Sequence, residues 1–415
     1  MNQVTKAKIG IFALTLLAMS TFGITPSIGL IMADLGAGAS EVQQLTGIPN
    51  LMGIVSALIF SAVATKVPRK VMAIAAPVLI AVGGLLPVFV SGGMPLLLVC
   101  AGILGLGVGL VTNTANLLIT DLIPADQQES MMAKNVIFVN FGCIVMTVGG
   151  GILSAGGWRN NYLIYLIAVP VLLLILMCIP WKTGEGQSAP AAAAAQGAQA
   201  GPKPGVGTVA IVASACILAY QFVYCALPNN VSIILTETGI GDSTMAGMVT
   251  AAGTLAGIVC GATLNLLLKK IQKFSLAFGL IFMTLGMVIM GFASSLPMVI
   301  VAAVLVGFSL SIGFAQCPFI IAIGTNPAAI PTAMGLFSAG ASIGGFVSPT
   351  ILNMLSGAFM GGSAQGCCVI AGVIAAIAAA ALLATRFQAG VIDRAFGGQA
   401  GSQAGAQAAG QVQGN

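Results

Sequence analysis

The chain has 415 residues, of which 58% are hydrophobic and only 6% charged, with a mean hydropathy of +1.08; soluble domains carry roughly 25% charged residues, so lipid rather than water is the expected solvent. The formal charge of +5 is scattered along the chain, not gathered into the basic stripe that nucleic acid requires. Histidine is absent and most of the nine cysteines, such as Cys100, Cys143, Cys178 and Cys260, sit in apolar runs without ligand spacing, so neither a metal centre nor any other cofactor is expected.

A membrane helix needs about 20 apolar residues. The first such run, 7–33, follows Lys6 and Lys8 and continues too far for the apolar core of a signal peptide, so it reads as a retained first helix. Five more follow at 42–65, 71–90, 95–120, 131–153 and 162–181. The segment 182–206, which includes GEGQSAPAAAAAQGAQAGPKPG, has no apolar periodicity and reads as a flexible linker. A second set then occupies 208–235, 244–268, 274–293, 297–323, 331–355 and 366–385, and the remainder, 389–415, has the composition of a disordered tail. The expected architecture is all-α and integral to the membrane: twelve transmembrane helices in two pseudo-symmetric six-helix bundles, 1–181 and 207–388.

Charge distribution fixes a topology. With the N-terminus inside, Lys6, Lys8, Lys66, Arg69, Lys70, Lys134, Lys182, Lys203, Lys269, Lys270, Lys273, Arg386 and Arg394 all fall on the cytoplasmic side, and only Arg159 falls outside. Both termini are therefore expected in the cytoplasm of a multi-pass protein of the cell membrane.

The two halves resemble each other at a spacing of about 202 to 204 residues. Pro26 corresponds to Pro228, LMGIVSA from Leu51 to LAGIVCG from Leu255, Lys66 to Lys270, Gly105 to Gly307, and Thr114 to Gln316. Gly142 and Gly340 recur in the fifth and eleventh spans. Pro26 and Pro228 are expected to bend their helices, because proline lacks the backbone donor and clashes with the preceding turn.

Several segments carry a family likeness. Ser61 to Lys70, SAVATKVPRK, resembles the loop signature of the major facilitator superfamily, with Lys66, Arg69 and Lys70 at its basic positions and Ser61, Thr65 and Pro68 replacing its two glycines and its acid. The run Gly102 to Leu110, followed by Asp121, Glu129 and Lys134, is similar to the family's passage between helices 4 and 5, and Trp158-Arg159 also fits. The stretch from Gly142 to Gly150-Gly151 resembles the antiporter signature of the drug/proton antiporter-like branch, with Met146-Thr147 in place of its Gly-Pro pair. The resemblance implies a transporter, not an enzyme, that works by rocker-switch alternating access around a central cavity. Lys66, Arg69 and Lys70, pairing with Asp121 and joined by Lys134, are the candidate cytoplasmic gating cluster, with positive-inside topology alone as the alternative explanation of these charges.

The span centres contain no ionisable residue, so their amides and tyrosines are the candidate cavity groups. They are Asn50, Asn113, Asn116, Asn140, Tyr220, Gln221, Tyr224 and Gln316, with packing between helices as the alternative role for each. Such a set suits a small neutral or weakly charged organic solute carried by a monomer in the bilayer, with proton or sodium coupling left open. Multidrug efflux by proton antiport is the alternative within the class, and a non-transporting receptor or scaffold the alternative outside it.

Overall fold

The computed structural model describes residues 3–63, 66–181 and 207–394; the expected linker at 182–206 and positions 395–415 of the expected tail lie outside them. Among the described residues the fold is helical throughout. The first half comprises α1 (Gln3–Leu35), α2 (Ala39–Val63), α3 (Arg69–Phe89), α4 (Gly93–Leu122), α5 (Ala125–Ser154) and α6 (Trp158–Cys178). The second comprises α7 (Thr208–Glu237), α8 (Ser243–Ile271), α9 (Ser275–Gly291), α10 (Leu296–Gly324), α11 (Ile330–Phe359) and α12 (Ala364–Thr385).

Eleven of these helices are long and apolar enough to cross a membrane, while α9 is apolar but has 17 residues. At 1.5 Å per residue α9 is about 25 Å long, close to the hydrocarbon thickness. By contrast α4, α5 and α11, at 30 residues each, reach well beyond it, and α4 and α5 carry charges such as Asp121 and Asp126 at their ends.

The internal repeat is physical. On Gly105 of α4 an added Cβ would strike Pro49 of α2, and on Gly307 of α10 it would strike Gly253 of α8. Gly83 of α3 approaches the Cys100 carbonyl of α4 as Gly286 of α9 approaches the Ala302 carbonyl of α10. Each pair repeats 202 to 204 residues on, so both halves use the same close helix crossings, where any side chain would force the backbones apart.

The helices that hold Pro26 and Pro228 are both irregular. In α1, residues Leu16–Ser27 wind as a 3₁₀ helix around Pro26, with Met19 off the helical conformation at φ −111°, ψ 22°. In α7 the helix breaks at Cys225, three residues before Pro228. Pro228 has no N–H to offer the Tyr224 carbonyl, which is why the ladder is interrupted there.

One departure from expectation lies beyond α12. The expected tail begins at 389, yet residues 387–394 are helical. Arg386 turns the chain through a left-handed conformation, φ 48°. Gln388, Ala389, Val391 and Ile392 are then buried, and Lys273 pairs with Asp393 at 2.7 Å. Apolar side chains at 391 and 392 give this segment a surface to bury, which the Gly/Gln/Ala composition averaged over 389–415 conceals.

Candidate functional site

The halves meet through α2 on α11, α5 on α8, and α1 on α7. The hydrogen bonds that join them gather at one end, here called the outer end, opposite the α2–α3 and α8–α9 turns. Gln43 of α2 donates to Asn230 Oδ1 at 2.9 Å and to the Asn229 carbonyl at 3.3 Å, and accepts from Asn353 of α11 at 2.7 Å. Thr46 donates to Asn229 Oδ1 at 2.7 Å, Gln44 to Thr350 at 2.7 Å, and Ser232 to the Pro26 carbonyl at 2.6 Å. Across α5 and α8 the seam is instead made by Gly247 against the Thr147 carbonyl, Gly151 against Ser243, and Thr244 donating to the Gly151 carbonyl at 3.3 Å. All these groups are uncharged.

Three contacts form the inward limit of this seam. Phe22 meets Tyr224 edge to face at 6.4 Å, Asn50 lies against Gly345, and Cys143 Sγ sits 3.6 Å from the Thr254 hydroxyl. Further inward the halves diverge, since among the described residues no extended contact joins α4 to α10 or α11, or α5 to α10.

Helix crossing explains which of the candidate groups are left uncovered. Gly105, Gly109, Thr112 and Asn116 share one face of α4. Helix α2 covers that face at Gly105 and Gly109, but by Phe60 it has moved across to Leu117. Thr112 and Asn116 are thereby left exposed, with Asn113 half-buried beside them and donating to its own helix at the Gly109 carbonyl, 2.9 Å. Asn140 of α5 continues the Thr147–Cys143 stripe one turn inward, and donates to the Val136 carbonyl at 2.9 Å.

On α7, Gln221 is buried and donates to Cys225 Sγ at 3.5 Å, while Tyr224 is half-buried against Phe22. Two sequence candidates lie elsewhere. Tyr220 is fully buried inside the second half, where its hydroxyl donates to the Leu276 carbonyl at 2.6 Å and its ring fills the space left by Gly313. Gln316, 3% exposed, accepts from Ser275 at 3.1 Å and from Gln388 at 3.4 Å. Both satisfy neighbouring helices, the packing role open to any buried amide or phenol.

The charged candidates divide similarly. Arg69 of α3 pairs with Asp121 of α4 at 3.0 Å. Lys70 donates to the Leu176 carbonyl of α6 at 2.8 Å and lies 4.7 Å above the Trp181 ring. Lys66 and Lys134 are exposed. These bonds tie α3, α4 and α6 together within the first half and do not cross to the second.

Sequence reading missed Gln43, Thr46 and Asn353 as inter-half contacts. Their signal is local: positions 43, 46, 47 and 50 in QQLTGIPN form a polar stripe at helical spacing in an otherwise apolar span.

Two halves of apolar spans, joined at one end by uncharged polar groups, define a multi-pass membrane protein. The chain belongs to the Major Facilitator Superfamily, which it matches over residues 10–228. Among curated proteins it is similar to myo-inositol transporters 3C and 3A of Cryptococcus neoformans var. grubii serotype A, each 29% identical over 153 residues. That stretch is 36% of this chain and spans a quarter of each relative's length. Similar folds include a bacterial homologue of the human lysosomal transporter Spinster, inward-facing and unoccupied, with TM-score 0.68 and 16% identity, covering 94% of this chain and 95% of that one. The nucleoside transporter NupG gives TM-score 0.72 at 12% identity, with 91% and 99% covered. The inward-open xylose transporter XylE from E. coli gives 0.67 at 16%, with 92% and 96% covered.

Proposed function

We propose that this chain is a secondary transporter for a small, uncharged, hydroxyl-rich organic solute, and that it works by alternating access between its two six-helix halves. The observation that carries this reading is the chemistry of the polar groups inward of the seam, which in this reading line a vestibule between the halves: Asn50, Asn113, Asn116, Asn140 and Tyr224 offer neutral donors and acceptors, and the span centres hold no acidic or basic residue to pair with an ionic solute. An anionic or cationic substrate brought to such a site would lose hydration without a counter-charge. A polyol exchanges water for amide hydrogen bonds and sets its apolar ring face on an aromatic such as Tyr224. The inositol transporters among the relatives fit this chemistry.

In this reading the halves 1–181 and 207–388 rock about the seam, with both termini and the 182–206 linker in the cytoplasm, so that the vestibule opens inward. No carboxylate lies in a span centre to carry a coupled proton, so flux follows the solute gradient.

Reconstitution in liposomes tests this. Saturable uptake of labelled myo-inositol, xylose or a nucleoside is expected, unchanged when ionophores collapse proton and sodium gradients. Movement of charged or drug-like solutes alone, driven by a pH gradient, would replace this reading with proton-coupled efflux.

A further inference from the structure

We propose that Gln43 is the latch of the outer gate: a single neutral side chain whose hydrogen bonds to both α7 and α11 hold the inward-open state. This rests on the alternating-access reading above.

Three observations carry it. Gln43 is 1% exposed, at the point where α2 meets two helices of the other half. Its amide nitrogen donates to Asn230 Oδ1 and the Asn229 carbonyl on α7, and its amide oxygen accepts from Asn353 on α11. An amide alone has both a donor end and an acceptor end, so a carboxylate or an amine of the same length would leave one partner unpaired. Asn229 is held further by Thr46, one turn along α2, while Asn230 donates to the Ala226 carbonyl beside the α7 break. The latch thus grips α7 on the outer side of its weak point at Cys225, where that helix has the freedom to swing.

The equivalent seam is built differently. A spacing of 204 places Gly247 of α8 opposite Gln43 in the repeat, and Gly247 rests on the Thr147 carbonyl of α5 without a side chain to bond. One seam is held by a network of short side-chain bonds and is releasable; the other is mainly a close backbone contact suited to sliding, with long bonds from Thr244 and between Cys143 and Thr254. Separating the outer ends breaks the Gln43 bonds, whereas the α5–α8 contact can persist through rotation.

Hydrogen–deuterium exchange of the full-length protein in lipid nanodiscs, read by mass spectrometry, tests the latch without any solute. For Gln43→Ala, exchange in peptides covering 39–50, 226–237 and 345–356 is expected to quicken about tenfold, as several membrane hydrogen bonds are lost together. Exchange at 125–140 and 330–340 should slow as the inner ends close. Asn353→Ala, which removes only the α11 arm, should give a smaller shift of the same pattern. Unchanged exchange would overturn the proposal, and so would faster exchange at both ends, which marks general loosening. If exchange shifts as expected but no neutral solute is carried, the latch stands and the transport reading falls; solute carried without the shift removes the latch alone.

Discussion

At the scale of single residues, the deciding property is where an uncharged polar group finds its partner. Gln316 and Asn113 are both amides in inner-half positions of their helices, yet Gln316 is enclosed by Ser275 and Gln388, whereas Asn113 bonds only its own backbone and remains half-exposed. Replacing Gln316 with Ala takes one acceptor from the buried Ser275 hydroxyl and the Gln388 amide, a loss of about 1–3 kcal/mol. It should therefore lower the thermal midpoint of the purified protein. Asn113→Ala strands nothing and should leave that midpoint in place while reducing solute flux severalfold. Melting curves and liposome uptake on the two variants distinguish the roles, and a reversed pattern would exchange the assignments. Composition marked both residues equally, because a sequence lists polar groups in apolar spans without saying which neighbour each one meets. The bond from Tyr220 to the Leu276 carbonyl, 56 positions away, illustrates what periodicity cannot supply.

Helices pack through glycines that the repeat places in register. A methyl group on Gly105 would collide with Pro49, and one on Gly307 with Gly253, whereas around Gly335 nothing lies within 4 Å. Gly105→Ala and Gly307→Ala are thus expected to destabilise the protein by about 1–3 kcal/mol each through overpacking, and Gly335→Ala to be neutral or slightly stabilising through helix propensity. Denaturation of the three variants in one detergent checks this; equal behaviour of all three would mean that these crossings are looser than their geometry implies. This level of organisation was largely legible in the sequence. Hydropathy marked every span, loop punctuation divided them, and Pro26 and Pro228 lie at irregular stretches of α1 and α7, while α6 is irregular as well, at Tyr162–Ile167. The helix at 387–394 was not legible, since its few apolar residues are outnumbered in any window by Gly, Gln and Ala. Nor was the bonded seam, because Gln43, Asn229, Asn230 and Asn353 come from three helices that only the assembled fold brings together.

For the whole molecule, the question is whether the two halves are separate folding units joined by a seam that must part in every cycle. Each half has its own close crossings and its own inner-end ties: Arg69–Asp121 and Lys70–Leu176 in the first, Gln388 with Ser275 and Lys273–Asp393 in the second. Between the halves lie neutral hydrogen bonds and glycine contacts. In membranes such bonds average well under 1 kcal/mol each, though a few reach nearly 2. A seam of this kind favours one state without making it permanent, as the proposed alternating access requires. The chain linking the halves then serves to keep them at high local concentration, not to fold them. It follows that two polypeptides divided within 182–206 and co-expressed should assemble in the membrane and carry solute at a rate comparable to the intact chain. Each half alone should insert but show no flux, because the vestibule needs walls from both. Co-purification of differently tagged halves, followed by liposome uptake, measures this directly. Halves that insert only when covalently joined would show that the seam, and not each bundle's own crossings, supplies the stability of the fold.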